Sequence, residues 1–284
     1  MSPEIKDLYD AYARGAMDRR EFLTKLAAIG GGTAVAALLL PALGAGAVGQ
    51  LVPKDDPRLE TGYVNYPIEG GEMRAYSAKP KGAGKLAGVI VIHENRGLNP
   101  HTEDVARRVA LEGYHAIAPD ALSPLGGTPE NPEEARPLFA KLDGEANKKN
   151  FVAAVAYLKT GPQATGKVGC MGFCWGGGVT NDVAVNAPDL AAAVPFYGRQ
   201  PAPEDVPKIK AAMLIQYAGD DERINAGIPA FEEALKKAGV EYAIHMYEGA
   251  GHAFMNDTGQ RYNKDAADLA WKRTVAFFKD KLKS

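Results

Sequence analysis

The chain carries two hydrophobic periods. Gly62 to Pro67 and Glu72 to Ala78 alternate apolar and polar positions, as strands with one buried face do. Glu69-Gly70-Gly71 between them supplies a turn, so the spacing predicts an antiparallel hairpin. Short apolar runs follow at Val89–His93, Tyr114–Ala118, Val168–Met171, Ala192–Phe196, Ala212–Tyr217 and Tyr242–Tyr247. Unbroken apolar runs of this length suit strands buried on both faces. Between them lie segments of helical period, Thr102–Glu112, Ala146–Thr160, Val179–Asn186, Ile228–Ala238 and Asn263–Lys281. This alternation predicts an α/β fold: a mostly parallel central sheet with helices on both faces and an N-terminal antiparallel hairpin. Ala121 to Leu142, with Pro124, Gly126-Gly127 and Pro129, reads as a long excursion that shapes one wall of a pocket.

The first 47 residues are patterned differently. Asp18-Arg19-Arg20-Glu21-Phe22-Leu23-Thr24-Lys25 precedes an apolar run from Leu26 to Leu43, and Ala45-Gly46-Ala47 offers a small-residue cleavage site. This predicts a twin-arginine signal over residues 1–47, with the twin-arginine translocase as partner and a periplasmic or otherwise exported location. Gly30-Gly31-Gly32 and Pro41 interrupt the apolar run, so no stable membrane anchor is expected. Residues 48–60 read as a linker and 61–284 as one domain.

Composition adds mainly exclusions. Of 284 residues, 33 are Lys or Arg and 35 are Asp or Glu, for a net charge of −2. The chain has no basic run interleaved with aromatics, so nucleic acid is not an expected partner. The two cysteines, Cys170 and Cys174, are separated by extended chain that holds their sulfurs too far apart for a disulfide. No Cys/His cluster has metal-ligand spacing, and neither a metal nor a cofactor is implied.

The strongest chemical signal is Gly172-Phe173-Cys174-Trp175-Gly176-Gly177-Gly178, set between an apolar run and a helical segment. That is the strand–turn–helix context of a nucleophile elbow, with a thiol in the nucleophile position. A base and an orienting acid must follow in the order acid, then histidine. Gly219-Asp220-Asp221 closes one strand pattern, and Glu248-Gly249-Ala250-Gly251-His252-Ala253-Phe254 closes another. The imidazole accepts the thiol proton, and the carboxylate fixes its tautomer and stabilises the imidazolium. From position alone, either Asp220 or Asp221 can be the acid. Glu94 emerges at the carboxyl end of the Ala87–Ile92 run, where open α/β sheets place their ligand crevices. The backbone N–H groups of Trp175 and Asn95 are the expected oxyanion hole.

Over about residues 60–284 the chain resembles the dienelactone hydrolase family of the α/β-hydrolase superfamily. The motifs are Gly172-Phe173-Cys174-Trp175-Gly176-Gly177, Gly219-Asp220-Asp221, Gly251-His252-Ala253-Phe254 and His93-Glu94-Asn95-Arg96-Gly97. The resemblance implies Cys174 as nucleophile, His252 as base and Asp221 as orienter. It also implies that Glu94 contacts the resting thiol. The implied activity is cleavage of a small-molecule ester or lactone through an acyl-thioester. Family members hold a substrate carboxylate with arginines, and there the chain departs. Asn256 stands four positions after His252, where one such arginine falls, and Glu133-Glu134-Ala135-Arg136-Pro137 aligns none for the other. Arg96 and Arg136 are candidate replacements, and Tyr197 is a further candidate substrate contact. The reaction type carries over more firmly than the substrate. A generalist carboxylesterase and a catalytically silent binding protein on the same scaffold are the alternatives. His93 and His101 flank the early loop and read as structural or pocket-lining.

Overall fold

The computed structural model describes residues 24–25 and 51–283. Arg19, Arg20 and the proposed cleavage site lie outside the described residues.

Eight strands form one sheet: β1 (Leu59–Ile68), β2 (Gly71–Pro80), β3 (Leu86–Ile92), β4 (His115–Pro119), β5 (Ala164–Phe173), β6 (Ala192–Phe196), β7 (Ala212–Asp220) and β8 (Tyr242–Gly251). Their order across the sheet is β1-β2-β4-β3-β5-β6-β7-β8. β1 and β2 form the antiparallel hairpin, and β2 meets β4 antiparallel through Ala75–Pro119 to Ala78–Ala116. From β4 to β8 every pairing is parallel. The helices are α1 (Pro100–Leu111), α2 (Pro132–Phe139), α3 (Gly144–Thr160), α4 (Trp175–Asn186), α5 (Glu222–Asn225), α6 (Ile228–Ala238) and α7 (Lys264–Leu282).

The two faces of each strand feed two cores. Val89 and Val91 of β3 pack with Val105 and Val109 of α1 and with Phe278 of α7. Ile90 and Ile92, one residue out of phase, pack with Phe151 and Leu158 of α3, Val183 of α4 and Leu235 of α6. A strand enclosed on both sides has no polar face, which is why the central strands read as continuous apolar runs. No helix among the described residues is long and apolar enough to cross a membrane.

Three features differ from expectation. The stretch read as a linker, 48–60, is packed where it is described. The amides of Leu51 and Val52 donate to the buried Asp104 carboxylate at 3.1 and 2.7 Å, and Arg107 Nε donates to Val52 O at 2.8 Å. The domain therefore takes in this segment, and β1 begins at Leu59 rather than after 60. The excursion contains a helix, α2, capped by the Asn131 side chain, which accepts from Glu133 N. Finally, α4 begins at Trp175, several residues before the apolar pattern that marks it.

Candidate active site

β5 delivers the chain to Cys174 at the carboxyl edge of the parallel sheet, and α4 leaves directly from it. Joining strand to helix with no intervening loop forces Cys174 into the left-handed region, at φ 56°. Its neighbours must be small for the same reason. A methyl on Gly172 would lie 2.3 Å from Gly176 O, and one on Gly176 would lie 2.4 Å from His93 O. Both obstacles are backbone, so neither can yield. The Cys174 amide donates to Phe196 O at 3.0 Å, tying the elbow to the end of β6.

Three non-glycine residues among the described ones have positive φ: Cys174 at 56°, Tyr197 at 37° and Ala253 at 72°. Strain of this kind costs of order 1–3 kcal/mol per residue and gathers where the surroundings over-determine the backbone. All three meet at one place. Ala253 follows His252, and the Tyr197 ring packs on the His252 ring with centroids 5.1 Å apart. Tyr197 is fully buried, and its hydroxyl has no hydrogen-bond partner.

His252 Nδ1–H donates to Asp221 Oδ2 at 2.5 Å. Asp221 is buried beyond the end of β7, whereas Asp220 is exposed. Of the two aspartates left open by position, Asp221 is the one bonded to His252. Asn225 holds that corner by donating to Ala218 O and Gly219 O at 2.8 and 3.1 Å. The bond through Nδ1 leaves Nε2 of His252 free to take a proton.

Glu94 lies just past the end of β3. Its Oε2 accepts from Asn256 Nδ2 at 2.9 Å, while its Oε1 is buried without a partner. Thr258 donates to Asn256 Oδ1 from both its amide (3.1 Å) and its hydroxyl (2.7 Å), so the amide's N–H₂ is turned toward Glu94. The residue standing where the family places an arginine thus presents a neutral donor to the glutamate.

Burial, and then the negative charge of Glu94, push the Cys174 thiol up to about 11. The Trp175 backbone N–H and the charge of Arg223 act in the opposite direction. The two arginines expected at the substrate are both exposed. Arg96 is exposed and pairs with Glu133 at 3.6 Å, and Arg136 is exposed on α2. Among the described residues neither is hydrogen-bonded or ion-paired to the Cys174–His252–Asp221 group or to Glu94. The cation whose field reaches the thiol, Arg223, follows Asp221 by two positions; neither it nor Asn256 stood out in the sequence as a site residue. The excursion does wall the site: Phe139 packs on Trp175 with centroids 4.9 Å apart, and Thr128 Oγ1 accepts from Leu98 N at 3.0 Å.

A mostly parallel sheet carrying a strand–cysteine–helix elbow, with a hydrogen-bonded aspartate and histidine at the same edge, has the architecture of the α/β-hydrolase class. Within that class the chain belongs to the dienelactone hydrolase family, whose model matches residues 73–282. A second model, described as YqhI-like, matches residues 1–31. The chain is 34% identical to a "putative carboxymethylenebutenolidase" of Saccharolobus solfataricus, over 76% of this chain and 97% of that one. It is 32% identical to a protein of the same description from Escherichia coli K12, over 81% of this chain and 90% of that one. A solved structure described as a "putative dienelactone hydrolase" of Klebsiella pneumoniae matches with TM-score 0.71 and 29% identity, covering 78% of this chain and 98% of that one. The protein is a hydrolase of the ester and lactone type.

Proposed function

We propose that this hydrolase works through Cys174, His252 and Asp221 by way of an acyl-thioester. The observation that carries this reading is the His252–Asp221 hydrogen bond beside a cysteine held in left-handed backbone at the elbow. Cys174 sulfur forms a bond to the acyl carbon as its proton passes to His252 Nε2. The tetrahedral oxyanion is met by the N–H groups of Trp175 and Asn95. Collapse breaks the acyl–oxygen bond, and the His252 proton leaves on the alcohol oxygen. Water then gives a proton to His252 and attacks the thioester, which releases the acid and restores the thiol.

Burial, with the charge of Glu94 added to it, keeps the resting thiol neutral in this scheme. Both disfavour the thiolate, which guards the sulfur against oxidation until substrate enters. The sign of the pH effect follows. With the thiol pushed up to about 11, the thiolate fraction is small at neutral pH and rises about tenfold per pH unit up to that point. Alkylation of the resting enzyme by iodoacetamide should therefore climb steadily from pH 7 toward pH 10. Glu94→Gln removes the repelling charge and should raise the rate at pH 7.5. A rate that levels off below pH 8, or falls in Glu94→Gln, contradicts the scheme.

We also propose export by the twin-arginine route, on the strength of Arg19-Arg20 and the weakly apolar run behind them. Replacing both arginines by lysine should retain the enzyme in the cytoplasm. Unchanged recovery from the periplasm on fractionation rules the route out.

A further inference from the structure

We propose that His93, which lies outside the reacting group, sets the oxyanion hole: it orients the peptide that presents Asn95 N–H and braces the residue that presents Trp175 N–H. The inference rests on the hydrolytic scheme above and concerns a residue that touches no reacting atom, so His93 is a positioning residue.

His93 is wholly buried at the end of β3. Its two ring nitrogens have partners of opposite kind. Nδ1 lies 2.6 Å from Glu94 O, which can only accept, so Nδ1 carries the proton. Nε2 lies 3.2 Å from Ala121 N, which can only donate, so Nε2 is bare. One neutral tautomer satisfies both, and burial favours that uncharged form.

Each contact has a consequence at the hole. Glu94 O and Asn95 N belong to the same peptide unit. In a trans peptide the C=O and N–H point in opposite directions. Drawing Glu94 O onto Nδ1 therefore aims Asn95 N–H away from His93. The same hydrogen bond polarises the peptide and strengthens its N–H as a donor. The His93 ring also stacks flat on the Trp175 ring, with centroids 5.5 Å apart and planes 9° apart. Phe139 closes on both rings edge-on, at 5.8 and 4.9 Å. Trp175 supplies the second N–H of the hole. In the resting site the Trp175 N–H faces the Cys174 sulfur, and among the described residues neither N–H is donated to an oxygen. One imidazole thus links the early loop, the elbow and the excursion through Ala121.

A merely structural histidine and a hole-setting one differ in what their loss affects. Acyl transfer develops an oxyanion, whereas alkylation of a thiol by iodoacetamide does not. His93→Phe keeps an aromatic ring against Trp175 and removes the N–H to Glu94 O. We expect kcat for a chromogenic ester to fall roughly 10- to 100-fold, a fraction of what loss of an entire oxyanion donor costs. KM should change little, and the alkylation rate of Cys174 at pH 8 should stay within about twofold of wild type. His93→Asn places an amide N–H near the Nδ1 position and should recover part of the lost kcat. Unchanged kcat in His93→Phe overturns the proposal. Equal losses of turnover and alkylation, or an asparagine variant no better than phenylalanine, overturn it in favour of general support of the fold. Wild-type enzyme alkylated at Cys174 is the reference: if it still turns over ester, the cysteine scheme itself fails, independently of His93.

Discussion

Cys174→Ala should lose ester hydrolysis by roughly 10⁵- to 10⁶-fold in kcat, the scale seen when a triad nucleophile is removed. The estimate follows from what the elbow is for. Left-handed backbone at Cys174 and two glycines, on which an added methyl would meet carbonyl oxygens at 2.3 and 2.4 Å, serve to hold one side chain clear of the strand and the helix. The second cysteine, Cys170, cannot take its place, because it is fully buried in β5. The variant should fold, since the change removes one sulfur and leaves the strained backbone as it is. Unfolding should stay cooperative by circular dichroism, with a Tm within a few degrees of wild type. Turnover within tenfold of wild type would remove Cys174 from the chemistry. Cys174→Ser should keep a trace of activity, because an alkoxide needs a stronger base than this site supplies.

The second large effect is expected at Asp221. Its carboxylate accepts from His252 Nδ1 at 2.5 Å and is almost fully enclosed. Asparagine keeps the shape and loses the charge. Its amide can donate to Nδ1, which moves the imidazole proton to Nε2 and leaves no base facing the thiol. Loss of charge also leaves the imidazolium unsupported. Together these should cost roughly 10³- to 10⁴-fold in kcat/KM. Asp220→Asn is the matched control, because Asp220 is exposed and its side chain makes no bond to His252; its activity should match wild type. Similar losses at 220 and 221 would assign the effect to the corner rather than to the acid.

Much of this arrangement is visible in the amino-acid order. The central strands could be read because helices on both sides leave them no polar face, so β3 and β7 stand out as apolar runs. The elbow was readable because its steric demands select glycine at Gly172 and Gly176. Strand ends were harder. β5 runs from Ala164, before its apolar stretch, and β8 continues to Gly251, because ladder hydrogen bonds need no particular side chain. The first turn of α4 went unmarked because it is built on three glycines, which disfavour helix, and is imposed by the elbow. α2 starts on an Asn131 cap and Pro132, but Pro137 within it masks the helical period, so it went unread.

The site divides in the same way. Order along the chain brings Cys174, Asp221 and His252 forward as candidates, since each follows a strand at one edge. Partnerships across the fold do not follow from order. Asn256 and Glu94 are 162 positions apart, and nothing local says that an asparagine amide is turned toward that carboxylate. The tautomer of His93 depends on Ala121 N, a backbone group with no signature in sequence. Arg96 was marked by its place after the early loop, but its pairing with Glu133, 37 positions on, has no local signature.

The most direct test of the central claim is to trap the intermediate. Wild-type enzyme mixed with an activated short-chain ester and quenched in acid within milliseconds should carry one acyl group. Mass spectrometry of the digest should place it on the peptide containing Cys174, as a thioester that hydroxylamine removes at neutral pH. Asp221→Asn should accumulate less of it in the same interval. An acyl group found on a serine or on His252 alone, or turnover with no acylated enzyme at any quench time, would contradict the acyl-thioester account.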